Sequence, residues 1–186
     1  MIKLASVTAV AFALTQSIQA TPVVGAIGFT GRVSYDTTSA GTATEVTSWV
    51  NSTVNGTSGS FTSVANGTAT TFSSSVWKFV TGTPITSFWS VGGYTFELLS
   101  SYIVYQGNGA LVVDGTGIIS GNGYSDTTLS WSFTSQDPAT TSSPDTWTIS
   151  ASANSLPASV PDGGATVILL GIAFAGVALL RRKLTA

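Results

Sequence analysis

Residues 128–135 read TLSWSFTS and alternate between apolar and hydroxyl-bearing side chains. Leu129, Trp131 and Phe133 fall on one side of an extended chain, and serine and threonine fall on the other side. Successive side chains of a β-strand point to opposite faces, so a period of two is typical of a strand with one buried face. The stretch predicts a strand that contributes an aromatic face to the core of an all-β domain.

Four further stretches show the same period, and no helical period of about 3.6 competes with it before residue 163. Aromatic and branched residues, which suit a half-buried pleated surface, occupy their apolar faces. These faces consist of Ile27, Phe29, Val33 and Tyr35; Trp77 and Phe79; Tyr94, Phe96 and Leu98; and Trp147 and Ile149.

Glycine-containing pairs and triplets separate these stretches and predict tight turns, because glycine and asparagine tolerate positive φ. The predicted turns are at residues 55–56, 66–67, 92–93, 107–109, 114–115 and 121–123. Roughly ten short strands at this spacing are typical of an antiparallel β-sandwich or jelly roll. We assign this fold to residues 21–156.

The composition excludes several kinds of chemistry, because the chain contains no cysteine and no histidine. Disulfides, thiol nucleophiles, Cys-ligated metals and every Ser-His-Asp arrangement are therefore ruled out. We expect no metal site, no cofactor and no enzymatic activity, although paired carboxylates or a Ser-Lys couple remain available in principle.

The charge distribution argues against nucleic acid as a partner. Outside the two terminal segments, Arg32 and Lys78 are the only cations, and they stand against seven acidic residues. Such a body has no basic patch with which to neutralise phosphates.

The first 20 residues have the order of a secretory signal peptide. Lys3 precedes an apolar run from Leu4 to Leu14, and a polar segment ends at Ala20. We predict cleavage after Ala20 and export by the Sec route; a buried N-terminal helix is the alternative.

Carboxylates offer one alternative function. Glu45 and Glu97 are the only glutamates, and two carboxyls at a set separation hydrolyse glycosidic bonds in many enzymes. Exposed carboxylates on strands usually serve solvation instead, so we assign no catalytic residue.

The stretch from Asp114 to Asp126 mixes Asp, Gly and Asn as calcium loops do, but it lacks their ligand spacing. Two hairpin turns around a short strand explain that stretch more simply.

Exposed aromatic residues offer a second alternative. Trp89 and Tyr94 lie on either side of the Gly92-Gly93 pair and could present rings for stacking against sugars. The domain would then be a carbohydrate-binding, lectin-like module or an adhesin, although alternating aromatic residues more often form a core.

An apolar run near the C-terminus has the length of a short membrane span. It extends without a charge from Gly163 to Leu180. At about 1.5 Å per residue, such a helix reaches just under the roughly 30 Å hydrocarbon core. Residues 165–180 are therefore predicted as a single transmembrane helix, with a short buried helix as the alternative.

A basic cluster follows this apolar run, and a segment rich in proline and glycine precedes it. Arg181, Arg182 and Lys183 follow it, and the positive-inside rule predicts residues 181–186 as a basic cytoplasmic tail. Residues 157–164 precede it as a flexible neck, because prolines and adjacent glycines oppose both helix and sheet.

The order of these features resembles a known family of sorting signals. A motif of five residues, an apolar helix and a basic cluster together resemble the PEP-CTERM signals of Gram-negative bacteria, and the Val-Pro-Asp-Ser-Gly variant is the most similar. The motif residues are Val160, Pro161, Asp162, Gly163 and Gly164, of which Gly163 departs from the serine of the variant. The resemblance implies that an exosortase, a membrane-embedded cysteine protease or transpeptidase, processes this chain at the motif.

The resemblance also implies a location and a class of function. Proteins with such signals are typically surface or matrix proteins associated with exopolysaccharide, held only transiently in the inner membrane. We therefore expect an exported, non-enzymatic cell-surface or extracellular-matrix protein of a biofilm. Its expected partners are an exosortase, the inner membrane and exopolysaccharide.

Overall fold

The computed structural model describes residues 20–73, 76–138 and 147–155. The predicted signal peptide up to residue 19, the neck, the transmembrane helix and the basic tail lie outside these residues. Within the described ranges, no helix is long and apolar enough to cross a bilayer.

Nine strands and one short 3₁₀ helix (Gly59–Ser63) make up the described chain. The strands are β1 (Ala26–Tyr35), β2 (Glu45–Thr57), β3 (Thr71–Phe72), β4 (Trp77–Lys78), β5 (Ile85–Val91), β6 (Tyr94–Gly107), β7 (Ala110–Gly121), β8 (Tyr124–Gln136) and β9 (Trp147–Ser155). The expectation of an all-β protein is confirmed.

The strands form a single antiparallel sheet in the order β3-β5-β6-β7-β8-β9-β1-β2-β4. This sheet curls until its edges meet. Thr53 of β2 bridges to Ala69, just before β3, and Thr81, just after β4, bridges to Ser101 of β6. The expectation of two packed sheets is wrong, because the hydrogen-bonded ladder never breaks and the core lies inside one curled sheet.

Aromatic side chains fill the interior of the curled sheet. Trp89 stacks on Phe96 with ring centroids 5.1 Å apart, and Phe88 meets Trp131 edge to face at 5.4 Å. Every side chain that the alternation assigned to an apolar face is buried where the structure describes it. The side chain of Trp147 lies outside the described residues, whereas its neighbour Ile149 is buried.

The predicted turns are confirmed at four of six places. Residues 66–67, 92–93, 108–109 and 122–123 form turns, and the last three join consecutive long strands. The turns predicted at residues 55–56 and 114–115 are wrong, since these residues lie inside β2 and β7. The stretch from Asp114 to Asp126 therefore contains one hairpin turn instead of two.

Glycines inside β7 serve close packing against β6. A Cβ atom on Gly115 would lie 2.4 Å from the Ser100 carbonyl oxygen. A Cβ atom on Gly117 would lie 2.2 Å from the backbone carbonyl oxygen of Glu97 and 2.3 Å from Cζ of Phe96. Glycine in a strand marks either a bend or a close approach, and here it marks the approach.

The connection between β1 and β2 depends on a carboxylate. Asp36 Oδ1 accepts hydrogen bonds from the amides of Thr44, at 2.9 Å, and Glu45, at 3.4 Å, and its Oδ2 accepts one from the Thr44 hydroxyl. Partial burial opposes ionisation of Asp36, but the bonds from Thr44 and Glu45 outweigh it and lower the pKa of this carboxyl.

We predict that Gly117→Ala destabilises the domain by about 1–3 kcal/mol, because the added methyl group overpacks the contact with Phe96. Urea unfolding of the exported protein measures the change. Gly56→Ala is the matched control, since a Cβ atom there meets nothing within 4 Å. It should be neutral or stabilising by about 0.4–1 kcal/mol. Equal effects of the two substitutions would contradict the packing role of Gly117.

We also predict that Asp36→Asn removes stability that depends on pH. A carboxyl whose folded pKa is depressed stabilises the fold above its unfolded pKa of about 3.9, and this stability is lost as the pH falls through the folded pKa. The difference in free energy of unfolding between wild type and variant should be constant near neutral pH and shrink below about pH 4. Unfolding curves between pH 2 and 7, in steps of about one unit, measure it. A difference that does not change with pH would contradict the role of the charge, and Thr44→Val should reduce the pH dependence.

Candidate functional site

The residues of the predicted sorting signal lie outside the described part of the chain. They are Val160 to Gly164 and the basic cluster Arg181, Arg182 and Lys183. Ala20, where we predict signal cleavage, is the first described residue and is exposed. It precedes β1 by six positions, and cleavage there stays a prediction.

The sugar platform predicted at Trp89 and Tyr94 is wrong, because both side chains belong to the core. Trp89 is fully buried against Phe29 and Phe96. Tyr94 packs on Phe61, and its hydroxyl donates a 2.6 Å hydrogen bond to the Ser60 carbonyl oxygen. Burial raises the pKa of Tyr94. Neither ring has a face available for a ligand.

The two glutamates lie on different strands, Glu45 on β2 and Glu97 on β6. Glu45 lies opposite Lys78 and lines a groove that Ile103 of β6 also borders. Glu97 lies six residues before Ile103 on the same strand, about 20 Å away at a rise of about 3.3 Å per residue. The carboxyls of glycosidases lie about 5–10 Å apart. The geometry therefore speaks against a glycosidase that uses Glu45 and Glu97.

Asp114 and Asp126 are also separated from each other. Asp114 pairs with Ser132 within the sheet, and Asp126 is exposed near the start of β8. In the parts of the chain that the structure describes, no three Asp or Glu side chains come together in a group that could hold a metal ion.

An open groove of about 630 Å³ crosses the ends of β7, β8 and β9. Asp137 is the one ionisable side chain among its described lining residues. Its carboxylate accepts hydrogen bonds from the Ser39 hydroxyl at 2.6 Å and from the Ala40 amide at 2.7 Å. Asp137 therefore fastens the loop between β1 and β2.

Tyr35 lies near this carboxylate on the inner face of β1. Burial raises its pKa, and the negative charge of Asp137 acts in the same direction, whereas a hydrogen bond with Ser135 opposes both. The phenol is therefore neutral at physiological pH and serves as a packing residue against Phe79.

Sequence reasoning missed one surface. Val80, Tyr102, Val104 and Tyr105 are large apolar side chains that the fold leaves exposed. The sequence did contain an indication of this surface, because residues 102–105 read YIVY and break the alternation found in the other strands. An unbroken apolar run does not reveal which of its side chains will face solvent.

Comparison with known proteins identifies the C-terminal segment. The family model of the VPDSG-CTERM motif matches residues 159–184, which include the five motif residues and the basic cluster. No curated protein and no solved structure matches the chain. The resemblance drawn from the motif, the apolar run and the cations is thus confirmed, and it implies export to the surface or exterior of the cell. At residues 159–184 the chain carries a VPDSG-type member of the PEP-CTERM-like sorting signals, through which an exosortase sorts exported proteins.

Proposed function

We propose that this chain is a non-enzymatic protein of the cell surface or extracellular matrix, which an exosortase releases from its C-terminal signal. The observation that carries the proposal is the family match over residues 159–184. The C-terminal signal determines where the protein is sorted, and the β domain is the part that remains after processing.

The proposed route has two membrane steps. The N-terminal segment directs export and is removed after Ala20. The apolar run then holds the chain in the inner membrane, with Arg181, Arg182 and Lys183 retained on the cytoplasmic side by the positive-inside rule. The motif from Val160 to Gly164 would lie at the outer surface of the bilayer, where prolines and glycines keep it open to the sorting enzyme.

The described carboxylates support a structural role over a catalytic one. Glu97 lies about 20 Å along β6 from Ile103, which borders the groove that Glu45 lines, and Asp36 and Asp137 are engaged in fastening the loop between β1 and β2. General acid–base catalysis needs ionisable groups that converge on one substrate position. Association with exopolysaccharide in a biofilm remains part of the proposal on the strength of the sorting signal.

Processing at the motif is tested by mass spectrometry of the protein recovered from the exterior of the exporting host. We predict that the mature C-terminus lies near Pro161 and that residues 181–183 are absent. Pro161→Ala should leave the signal attached and the protein in the membrane fraction. An intact basic cluster in mature wild-type protein would refute processing.

Pro157→Ala is the matched control, because Pro157 lies in the same neck but outside the matched residues 159–184. It should be processed as efficiently as the wild type. If both proline variants fail alike, the effect comes from the stiffness of the neck and the recognition of Pro161 is contradicted.

A further inference from the structure

Four exposed apolar side chains gather where the curled sheet closes. Val80 precedes Thr81, which bridges in antiparallel fashion to Ser101, so Val80 lies across from Tyr102. Tyr102, Val104 and Tyr105 follow along β6. We call these four residues the seam patch.

A bulge in β6 places both tyrosines on the outer face. Tyr102 pairs with Asp114 and Tyr105 with Val112, and the register shifts between Ile103 and Tyr105. Asp114 and Val112 share one face of β7, since they are two residues apart. The extra residue in β6 therefore turns two tyrosines, three positions apart, to the same side.

The edge of β6 beside the seam patch lacks a strand partner. Strand β5 pairs with β6 only as far as Leu98, and Thr81 reaches only Ser101. Within the described chain, Tyr102 to Gly107 pair with β7 alone. A groove of about 390 Å³ separates this edge from Glu45 and Lys78. Open strand edges with apolar side chains pair readily with other chains.

The charges around the seam patch favour a second copy of this chain as its occupant. No charged residue occurs between Leu98 and Val113. Elsewhere the described residues carry six acids against Arg32 and Lys78, so two copies repel each other over most of their surfaces. Lys78 and Glu45 lie side by side at the rim of the groove. A two-fold contact brings the same patch of each copy together, so a rim with one charge of each sign is self-complementary.

The groove itself is poorly suited to a sugar. Sugar and other small-molecule sites need polar groups that converge on the ligand. Gln106 is the uncharged side-chain amide in this groove, and its Nε2 already donates to the carbonyl oxygens of Ala40, at 3.2 Å, and Ala43, at 2.6 Å. Glu45 and Lys78 are the charged side chains at its rim, and the remaining means of binding are apolar contact and the free strand edge.

We propose that the exported protein associates with itself through the seam patch, with two copies meeting across the open edge of β6. The contact does not depend on the sorting route or on a matrix role, so it can fail while the proposed function stands. Four side chains and a short strand edge form a small contact surface, so we expect association to depend on protein concentration. Added salt should strengthen it, because salt screens the repulsion between acidic bodies and leaves apolar contact intact.

The test is sedimentation of the exported protein over a range of concentrations, in low and high sodium chloride. We expect concentration-dependent dimers of the wild type that increase with salt. Val104→Lys should abolish them, because lysine on an open edge opposes strand pairing. Lys78→Glu should weaken them by removing the complementary rim charge.

Val24→Lys is the matched control, since Val24 is 55% exposed and Val104 is 54% exposed, and Val24 lies outside the seam patch. It should dimerise like the wild type. Tyr102→Ser provides a second variant if Val104→Lys does not fold, as judged by its thermal unfolding. A wild type that stays monomeric, or equal behaviour of Val24→Lys and Val104→Lys, overturns the proposal. So does a monomer that binds soluble polysaccharide through the same residues.

Discussion

Aromatic rings packed inside one curled antiparallel sheet are the interaction on which the rest of this structure depends. The chain has no disulfide and few charges, so burial of apolar area must offset the entropy of ordering the strands. Trp77, Trp89 and Trp131 lie together with phenylalanines from five strands in a single cluster of edge-to-face and stacked contacts. Such contacts add about 0.5–1.5 kcal/mol each beyond the area buried.

The large aromatic rings of the core restrict the size of the side chains that fit beside them. Phe96 lies where a side chain on Gly117 would be, so glycine is needed inside a long strand. The loop between β1 and β2 is fastened by the carboxylates of Asp36 and Asp137, which accept backbone and hydroxyl hydrogen bonds. Two of the six described acids thus have a structural role in this loop.

Sorting and fold reside in different parts of the chain. The sorting signal occupies residues 159–184, beyond the last described strand, and it acts through a short motif, an apolar run and three cations. A linear signal of this kind is read by residue order, so sequence analysis reached it without a structure. The β domain presents its own surface, and the seam patch is the part of that surface where apolar side chains and an open strand edge coincide.

The sequence by itself determined the all-β class, the inward faces of the alternating strands and the sorting signal. Each of these depends on local order: a period of two separates the faces of a strand, and the motif is contiguous. Only the tertiary structure decided that one sheet curls on itself, that Gly115 lies in a strand, and that Trp89 and Tyr94 are buried while Tyr102 and Tyr105 are exposed. Alternation shows which side chains share a face, but whether that face meets the core or solvent depends on strands distant in sequence. The bulge in β6 then changes which side chains beyond it face solvent.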